Sequence, residues 1–471
     1  MVHHNTPQIK MPNFTLADFP LDILGQQSRI NRLYTQITFC YRLAEDDDSC
    51  LQSKIINTLE NGFRRLSDTF PWITGQITKD NGTFKIRPSS GSPHVLVKDH
   101  TKDPSVPDWD TLQQANFPFS MLDGSILAPC KTLESSSEGL LVFLVQANFV
   151  GGRGLLLTLN GQHGAMDMAG FTQLMYLFSK ACQNEQFTED ELSIGNMDRR
   201  NVIPLLEDQT HDTSDNHNSQ SARDEKVQQL PQNGPISSSN DCTWAYFSFS
   251  NTNLANLKSQ ATATLPSGTR EFISTDDALS AFLWHSISRI RLQRYVRRNE
   301  MTSNLETTLS RNVDVRRHLS ISASYPGLVT DTTVHTFPLK EVANQSLGFL
   351  SIELRSALDP VALSRHTREI ATRISREKKS KDTISVAKAY PEFEVRLSSW
   401  AKEKCYSLDF GFGLPVAVRR PRFTEGSRDG LVYFLPRSLD GEIVVGICLA
   451  CHDMERLRTD KEFVMFGTFL G

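Results

Sequence analysis

Two apolar runs joined by a short glycine-rich segment place the strongest constraint on the fold of this chain. Residues 139–150 read GLLVFLVQANFV, residues 154–160 read GLLLTLN, and Gly151-Gly152-Arg153 lies between them. Apolar runs of strand length on either side of a glycine-rich turn predict a β-hairpin. The second strand is expected to end at Asn160-Gly161 and to carry the following loop, QHGAMDMAG, towards a cleft.

That loop contains a histidine and a carboxylate four residues apart, His163 and Asp167. Three interpretations are open. His163 can be a general base, since imidazole titrates near neutral pH. The pair can supply two ligands to a metal ion, although HExxH is absent and no further ligands are evident. The histidine can also be a satisfied member of a capped loop. The small residues around it permit close approach of a ligand and favour the first interpretation.

Composition limits the classes of function that fit the remainder of the chain. The 471 residues are 39% hydrophobic and 22% charged, with a net charge of −4 at pH 7. Such a chain can form two or three cores and has no basic field suited to nucleic acid or an anionic membrane. Strands and helices alternate in both halves, so we predict an α/β (α+β) fold. Neither a secretory signal nor an apolar span is evident, and a cytoplasmic protein is expected.

The polar segment at residues 206–241 predicts an exposed linker, because it has almost no large apolar side chains. It separates a predicted N-terminal domain, 1–205, from a predicted C-terminal domain, 242–471. Eight scattered cysteines include one CxxC, Cys448 and Cys451, inside a strand-like run. No second pair completes a metal site, and none is predicted. GxSxG, GxxxxGK[ST] and GxGxxG before a helix are also absent, which argues against most hydrolases, nucleotide-driven enzymes and dehydrogenases.

A loop near the C-terminus, Asp409-Phe-Gly-Phe-Gly413, alternates glycine with aromatic residues. Gly411 and Gly413 suit a tight turn wedged into a domain junction. Asp409 is predicted to be structural, by pairing with an arginine of VDVRRH, either Arg316 or Arg317.

These features together resemble the BAHD acyltransferases, whose signatures are HxxxD in mid-chain and DFGWG near the end. His163 and Asp167 match the first signature, and Phe412 stands where the family usually has tryptophan. The resemblance is most specific to the fungal trichothecene 3-O-acetyltransferases. It covers LDILGQ (21–26), YTQI (34–37), PWITGQ (71–76), NGQHGAMDM (160–168), STDDALSAF (274–282), YPGL (325–328) and LSSWAK (397–402).

The resemblance implies two chloramphenicol-acetyltransferase-like domains, each a mixed β-sheet with helices, and a channel at their interface. His163 would be the base for direct acetyl transfer from acetyl-CoA, a co-substrate rather than a resident cofactor, to an alcohol. Asp167 either orients the imidazole or pairs with an arginine to shape the loop, and the family favours the arginine. Ser398, Ser399 and Trp400 would line the channel. Ser274 and Thr275, at a predicted helix start, either hold pantetheine or phosphate or serve as ordinary caps.

The implied acceptor is a hydroxyl of a fungal secondary metabolite, above all the C-3 hydroxyl of a trichothecene. An indole alkaloid or a meroterpenoid alcohol is the first alternative. An amide-forming enzyme related to condensation domains and a non-catalytic binding protein are the others. Relatives of this kind imply a monomer.

Overall fold

The predicted hairpin is present and forms the centre of a five-stranded sheet in the first half of the chain. Strands β7 (Phe143–Val150) and β8 (Gly154–Gln162) are antiparallel, and the turn between them uses left-handed backbone at Gly152 and Arg153. All nine residues of β8 are buried, as expected for a central strand covered on both faces. The computed structural model describes residues 18–44, 50–88, 94–207, 242–269, 272–297, 305–379 and 393–471.

Helices α1 (Leu51–Thr69) and α4 (Met168–Cys182) cover one face of this sheet. The apolar spacing of α1 places Leu59, Phe63 and Leu66 on a single buried stripe. A small four-stranded sheet flanks this core. The other elements of the first half are β1 (Phe19–Pro20), β2 (Tyr34–Arg42), β3 (Gln76–Asp80), β4 (Thr83–Arg87), β5 (Leu96–His100), α2 (Trp109–Gln114), α3 (Gly124–Leu127), β6 (Leu140–Leu141) and α5 (Glu189–Gly195).

The second half is built on a seven-stranded mixed sheet with the order β11-β10-β12-β14-β15-β9-β16. Its helices pack on one face, where Leu283 and Ile287 of the long helix α7 meet Val395 and Leu397 of strand β12. The elements are β9 (Cys242–Phe249), α6 (Asn251–Ala263), α7 (Thr275–Arg297), β10 (Glu306–Asp314), β11 (Thr330–Pro338), α8 (Leu339–Val342), α9 (Leu347–Ser356), α10 (Pro360–Lys379), β12 (Glu394–Ser399), β13 (Ala417–Arg419), β14 (Leu431–Phe434), β15 (Ile443–Ala450), α11 (Cys451–Thr459) and β16 (Thr468–Phe469).

The other face of the large sheet packs against the first half of the chain. Side chains alternate along a strand, so Tyr246 and Val444 point away from the helices and join the core of the first half, together with Trp400. Strand β13 also crosses over and pairs with β2, so that Arg419 lies opposite Thr38. The two halves therefore share a hydrophobic core, and strand β13 of the second half pairs in the sheet of the first. No pattern in the sequence predicted this pairing.

The predicted α/β (α+β) class is confirmed by these mixed sheets and helices. The division into 1–205 and 242–471 stays a prediction, and the predicted linker lies outside the described residues except for its first two positions. None of the helices in the described ranges combines the length and the apolar composition needed to cross a bilayer.

Candidate active site

His163 lies one residue beyond the end of β8, between the two halves of the chain. Its backbone N–H donates to the Leu33 carbonyl (2.8 Å), which ties the loop to the strand beside it. Its Nδ1 lies 3.2 Å from the Met166 carbonyl oxygen. A carbonyl only accepts, so this bond places the proton on Nδ1 and leaves a lone pair on Nε2. The imidazole is therefore held in the tautomer that a base needs.

The environment of His163 keeps the imidazole neutral. Burial lowers the pKa of His163 below its ordinary value of 6.5, and the positive charges of Arg420 and Arg396 act in the same direction. The Met166 carbonyl and Asp167 oppose this effect without cancelling it. Protein atoms surround the ring closely, yet the residue retains partial solvent exposure. The residue is therefore not completely enclosed by packing.

Buried polar side chains of the first half hold the loop that carries His163. Gln162 donates to the Asn31 carbonyl (3.0 Å) and accepts from the Ala165 N–H (2.9 Å). Arg199 donates to the Ala165 carbonyl (2.6 Å), and its guanidinium lies over the Trp72 ring. No motif marked Asn31 or Arg199 as functional, because each works through a backbone group distant in sequence.

The segment LDILGQ, which carried part of the resemblance, packs directly against the same loop. A Cβ atom on Gly25 would lie 2.2 Å from the Gly164 carbonyl oxygen, so only glycine fits there. Asp22 accepts from the hydroxyl of Tyr325 (2.5 Å) and from the Leu328 N–H (3.0 Å). The N-terminal segment thus connects the histidine loop to the YPGL segment of the second half.

Asp167 turns away from His163 and binds Arg316. Its two oxygens accept from the guanidinium at 2.8 and 2.9 Å, and both residues are buried. It also caps α4 through the Gly170 N–H (2.8 Å) and accepts from the Val329 N–H (2.7 Å). Burial alone would raise the pKa of Asp167, but the Arg316 charge and these hydrogen bonds outweigh burial and lower it. The favoured interpretation, a carboxylate that shapes the loop by pairing with an arginine, matches this geometry.

The predicted ion pair between Asp409 and Arg316 or Arg317 is wrong. Arg316 is taken by Asp167, and Arg317 is exposed. Asp409 Oδ1 instead accepts the backbone N–H groups of Gly411, Phe412 and Gly413 at 2.7, 3.1 and 2.9 Å. The physical reason is local, because left-handed backbone at the two glycines, with φ of +96° and +95°, wraps the loop around the carboxylate.

The Asp409 loop is remote from His163. Gln183, at the C-terminal end of α4, donates to the Asp409 carbonyl, whereas His163 precedes the N-terminal end of that helix. A helix of 15 residues is about 22 Å long at 1.5 Å per residue. The loop anchors Phe410 against Phe39 and Phe178 in the core, with ring centroids 5.2 and 5.4 Å apart.

We expect Asp409→Ala to lower stability without a direct effect on chemistry. The variant loses one acceptor that serves three backbone N–H groups, and we expect a cost of about 1–2 kcal/mol. Urea unfolding and steady-state kinetics on the same samples measure the two effects. An equally stable variant that has lost turnover would place Asp409 in the reaction.

The two residues predicted at the start of α7, Ser274 and Thr275, have different surroundings in the structure. The hydroxyl of Ser274 accepts from the Asp277 N–H (3.2 Å) and donates to the Asp277 carboxylate (2.8 Å), so its side chain is consumed by capping. Thr275 instead lines an open groove of about 560 Å³ together with Lys258 and Arg437. Two positively charged side chains near the N-terminal end of a long helix form a site suited to phosphate groups.

The three predicted channel residues do not share one face of β12. Ser398 accepts from Asn312 Nδ2 (2.8 Å) on the face that packs against the first half. Ser399 points the other way and donates to Asp276 (2.5 Å) on the first turn of α7. Trp400 returns to the interface, with its ring centroid 5.2 Å from that of Tyr433. Among the described residues, no cluster of three or more His, Cys, Asp or Glu side chains could hold a metal ion.

Comparison with known proteins agrees with this geometry. Residues 33–182 match the model of the trichothecene 3-O-acetyltransferase-like N-terminal domain. The chain is 43% identical to an O-acetyltransferase of Cryptosporiopsis sp. over 96% of this chain and 98% of the relative. It is 41% identical to the trichothecene 3-O-acetyltransferase of Fusarium sporotrichioides, covering 96% and 97% of the two chains. The crystal structure of that Fusarium enzyme with coenzyme A and T-2 superposes with a TM-score of 0.83 at 40% identity, covering 97% of this chain and 100% of that one.

Proposed function

This chain belongs to the family of the fungal trichothecene 3-O-acetyltransferases and related O-acetyltransferases, and we propose that it transfers an acetyl group from acetyl-CoA to a hydroxyl of a small molecule. The observation that carries the proposal is His163, a neutral and partly exposed residue at the junction of the two halves whose Nδ1 is held by the Met166 carbonyl, so that its Nε2 lone pair is available. A general base with a pKa near or below neutrality, held in one tautomer, suits proton removal from an alcohol.

The reaction proceeds by direct transfer in this proposal. Nε2 of His163 takes the proton of the acceptor hydroxyl, and the oxygen attacks the thioester carbonyl of acetyl-CoA. A tetrahedral intermediate forms and collapses, the carbon–sulfur bond breaks, and the imidazolium returns its proton to the sulfur of CoA. Asp167 takes no part in proton transfer, because Arg316 and the backbone occupy its oxygens. Its role is to fix the loop and the start of α4.

We propose that the phosphate groups of CoA bind in the groove beside α7. Lys258 and Arg437 supply positive charge there, and Thr275 supplies a hydroxyl and the start of the helix. Lys258 Nζ lies 4.4 Å from the centroid of the exposed Phe272 ring, which offers an aromatic face near the same cation. Asp276, beside Thr275, accepts from Ser399, and Trp400 follows at the interface.

We expect Lys258→Ala to raise the KM for acetyl-CoA about tenfold and to leave kcat unchanged. A tenfold change corresponds to about 1.4 kcal/mol, a reasonable loss for one charge-assisted contact to phosphate. The control is an acetyl thioester of N-acetylcysteamine, which carries no phosphate. The variant and the wild type should have the same KM for it. A KM for acetyl-CoA that does not change would remove the groove from CoA binding.

The acceptor is proposed to be an alcohol of a fungal secondary metabolite, with the C-3 hydroxyl of a trichothecene first. This assignment rests on the relatives, which include the trichothecene 3-O-acetyltransferases of Fusarium sporotrichioides and Saccharomyces cerevisiae and a structure of the Fusarium enzyme with T-2. An indole alkaloid or meroterpenoid alcohol is the alternative. A monomeric, cytoplasmic enzyme stays a prediction.

The function is tested by incubating the protein with acetyl-CoA and a panel of terpenoid and alkaloid alcohols. Release of free thiol together with a product heavier by one acetyl group supports the proposal. Turnover of amines alone, or of a carrier-bound donor alone, would favour the amide-forming alternative. Binding of metabolites without any thiol release would favour a protein that only binds them.

A further inference from the structure

Arg420 is a buried cation at the junction of the two halves, immediately after strand β13. Its guanidinium lies 4.0 Å from the centroid of the Phe423 ring, 4.5 Å from that of Tyr433 and 5.7 Å from that of Trp400. The residue is only 5% exposed. Three aromatic rings thus fix the position of the charge, which reduces the entropy lost when an anion binds to it.

No carboxylate compensates the charge of Arg420 within the part of the chain that the structure describes. Its Nε is buried and has no hydrogen-bond partner, and its backbone N–H and carbonyl are both taken by the Tyr246 hydroxyl. Two other buried arginines are paired with carboxylates, whereas the equally buried Arg419 is hydrogen-bonded to carbonyl oxygens and to the Tyr406 hydroxyl. Arg316 binds Asp167 and Arg311 binds Asp277, each at 2.8 Å. A buried charge is normally paired because desolvation is costly, so an uncompensated one indicates that an anion arrives from outside the protein.

The charge of Arg420 acts on the centre of the proposed reaction. Its charge opposes protonation of His163, and so does that of Arg396. Arg396 and Ser398 alternate with the core residues of β12 and therefore face the first half of the chain, and Trp400 continues this face. The second half thus contributes two positive charges, Arg396 and Arg420, that act on the imidazole.

We propose that Arg420 is the anion-stabilising residue of the acetyl transfer, an inference that rests on the proposed function. When the acceptor oxygen bonds to the carbonyl carbon, the electron pair of the C=O π bond moves to oxygen, which becomes negative. Collapse restores the C=O bond and breaks the C–S bond, so the charge passes to the thiolate, which then takes the proton held by His163. Arg420 faces this moving negative charge, and its cation stabilises the transition state more than the neutral substrates.

The test compares two adjacent arginines of the same segment. We expect Arg420→Gln to lower kcat about 10²–10³-fold, the usual effect of removing one donor to an oxyanion, with little change in either KM. We expect its thermal stability to be unchanged or higher, because an uncompensated buried charge has been removed. The control, Arg419→Gln, loses hydrogen bonds to the Phe117 and Asn116 carbonyls and should be less stable with a nearly normal kcat.

Two further readouts separate an electrostatic role from a structural one. Arg420→Lys retains the charge and should recover part of kcat. In the kcat/KM profile of Arg420→Gln, the acidic limb should move to higher pH, because removal of a nearby positive charge raises the pKa of His163 towards its ordinary value. The Asp167 and Arg396 charges and the Met166 carbonyl, which also act on His163, are unchanged in this variant.

A wild-type kcat in Arg420→Gln overturns the inference, as does a loss of kcat that follows a loss of stability like that of Arg419→Gln. A rise in KM alone also overturns it, since Arg420 would then bind a ground-state anion such as an acidic acceptor or a phosphate of CoA. These outcomes can be compared only if the wild-type protein releases free thiol from acetyl-CoA. Failure of the wild type with every acceptor would contradict the proposed function instead.

Discussion

His163→Ala is expected to retain the fold and to lose turnover by about 10²–10⁴-fold, the usual contribution of a positioned general base. The alanine removes the imidazole, whose Nε2 lone pair would accept the proton, whereas the loop around it is held by other contacts. Gln162, Asn31 and Arg199 fix its backbone without using the imidazole. Thiol release from acetyl-CoA and a circular dichroism melt on the same sample measure both effects.

The pH dependence of the wild type is the second measurement of the same prediction. Only the neutral imidazole accepts a proton, and burial together with Arg420 and Arg396 lowers the pKa of His163 below 6.5. Activity should therefore be complete above pH 6.5 and should fall only as the pH drops through that lowered value. The matched control is His452→Ala on α11, which removes a half-exposed histidine beside Asp453 and should leave both turnover and the profile unchanged. Near-normal turnover of His163→Ala would remove this residue from the mechanism.

The sequence predicted the elements whose signals are local. The hairpin followed from two apolar runs and a glycine turn, and the start of α7 followed from Ser274 and Asp277, whose reciprocal hydrogen bonds the structure contains. His163 was identified because a strand end, small residues and an imidazole occur together within a few positions. In each of these cases the physical cause lies within one turn or one strand of the residue concerned.

What the sequence did not predict depends on contacts between distant segments. The expected pairing of Asp409 with Arg316 or Arg317 is wrong, because charge alone does not reveal which carboxylate shares a buried site with an arginine. The three residues of β13 carry no pattern that indicates pairing with β2 across the chain. Arg420 follows another arginine, and only the structure distinguishes the two, one saturated by carbonyls and one enclosed by aromatic rings.

The second large effect is expected from Asp167→Ala, which should destabilise the protein by about 3–5 kcal/mol. Removing this carboxylate leaves the Arg316 guanidinium, 1% exposed, without its bidentate partner in the interior. The variant also loses the cap of α4 and the acceptor for Val329 N–H, which connects the two halves. Equilibrium unfolding in urea, monitored by fluorescence and by circular dichroism to test for coincident transitions, measures the loss.

Controls separate the charge of Asp167 from its capping role. Asp167→Asn retains an oxygen that can cap α4 but removes the charge. It should therefore retain part of the capping contribution and leave Arg316 with only the half-exposed Asp314 as a charged partner. The double variant Asp167→Ala, Arg316→Met removes both charges and should recover much of the stability lost by Asp167→Ala, because no buried ion is then left unpaired. Equal stability of the single and double variants would contradict the ion pair as the source of the effect.

The same ion pair predicts how the wild type responds to acid. The pKa of Asp167 is lower in the folded protein than its ordinary value of 3.8, because the Arg316 charge and the hydrogen bonds outweigh burial. Its contribution is therefore fully present above about pH 4 and is lost as the pH falls through the lowered value. As the pH falls through that lowered value, the wild type and Asp167→Asn should converge in stability, whereas at pH 7 they should differ most. The Asp167 carboxylate faces Arg316 and not the imidazole. Any loss of turnover in Asp167→Asn should therefore result from displacement of His163. The acidic limb of the kcat/KM profile should still follow the titration of a single base.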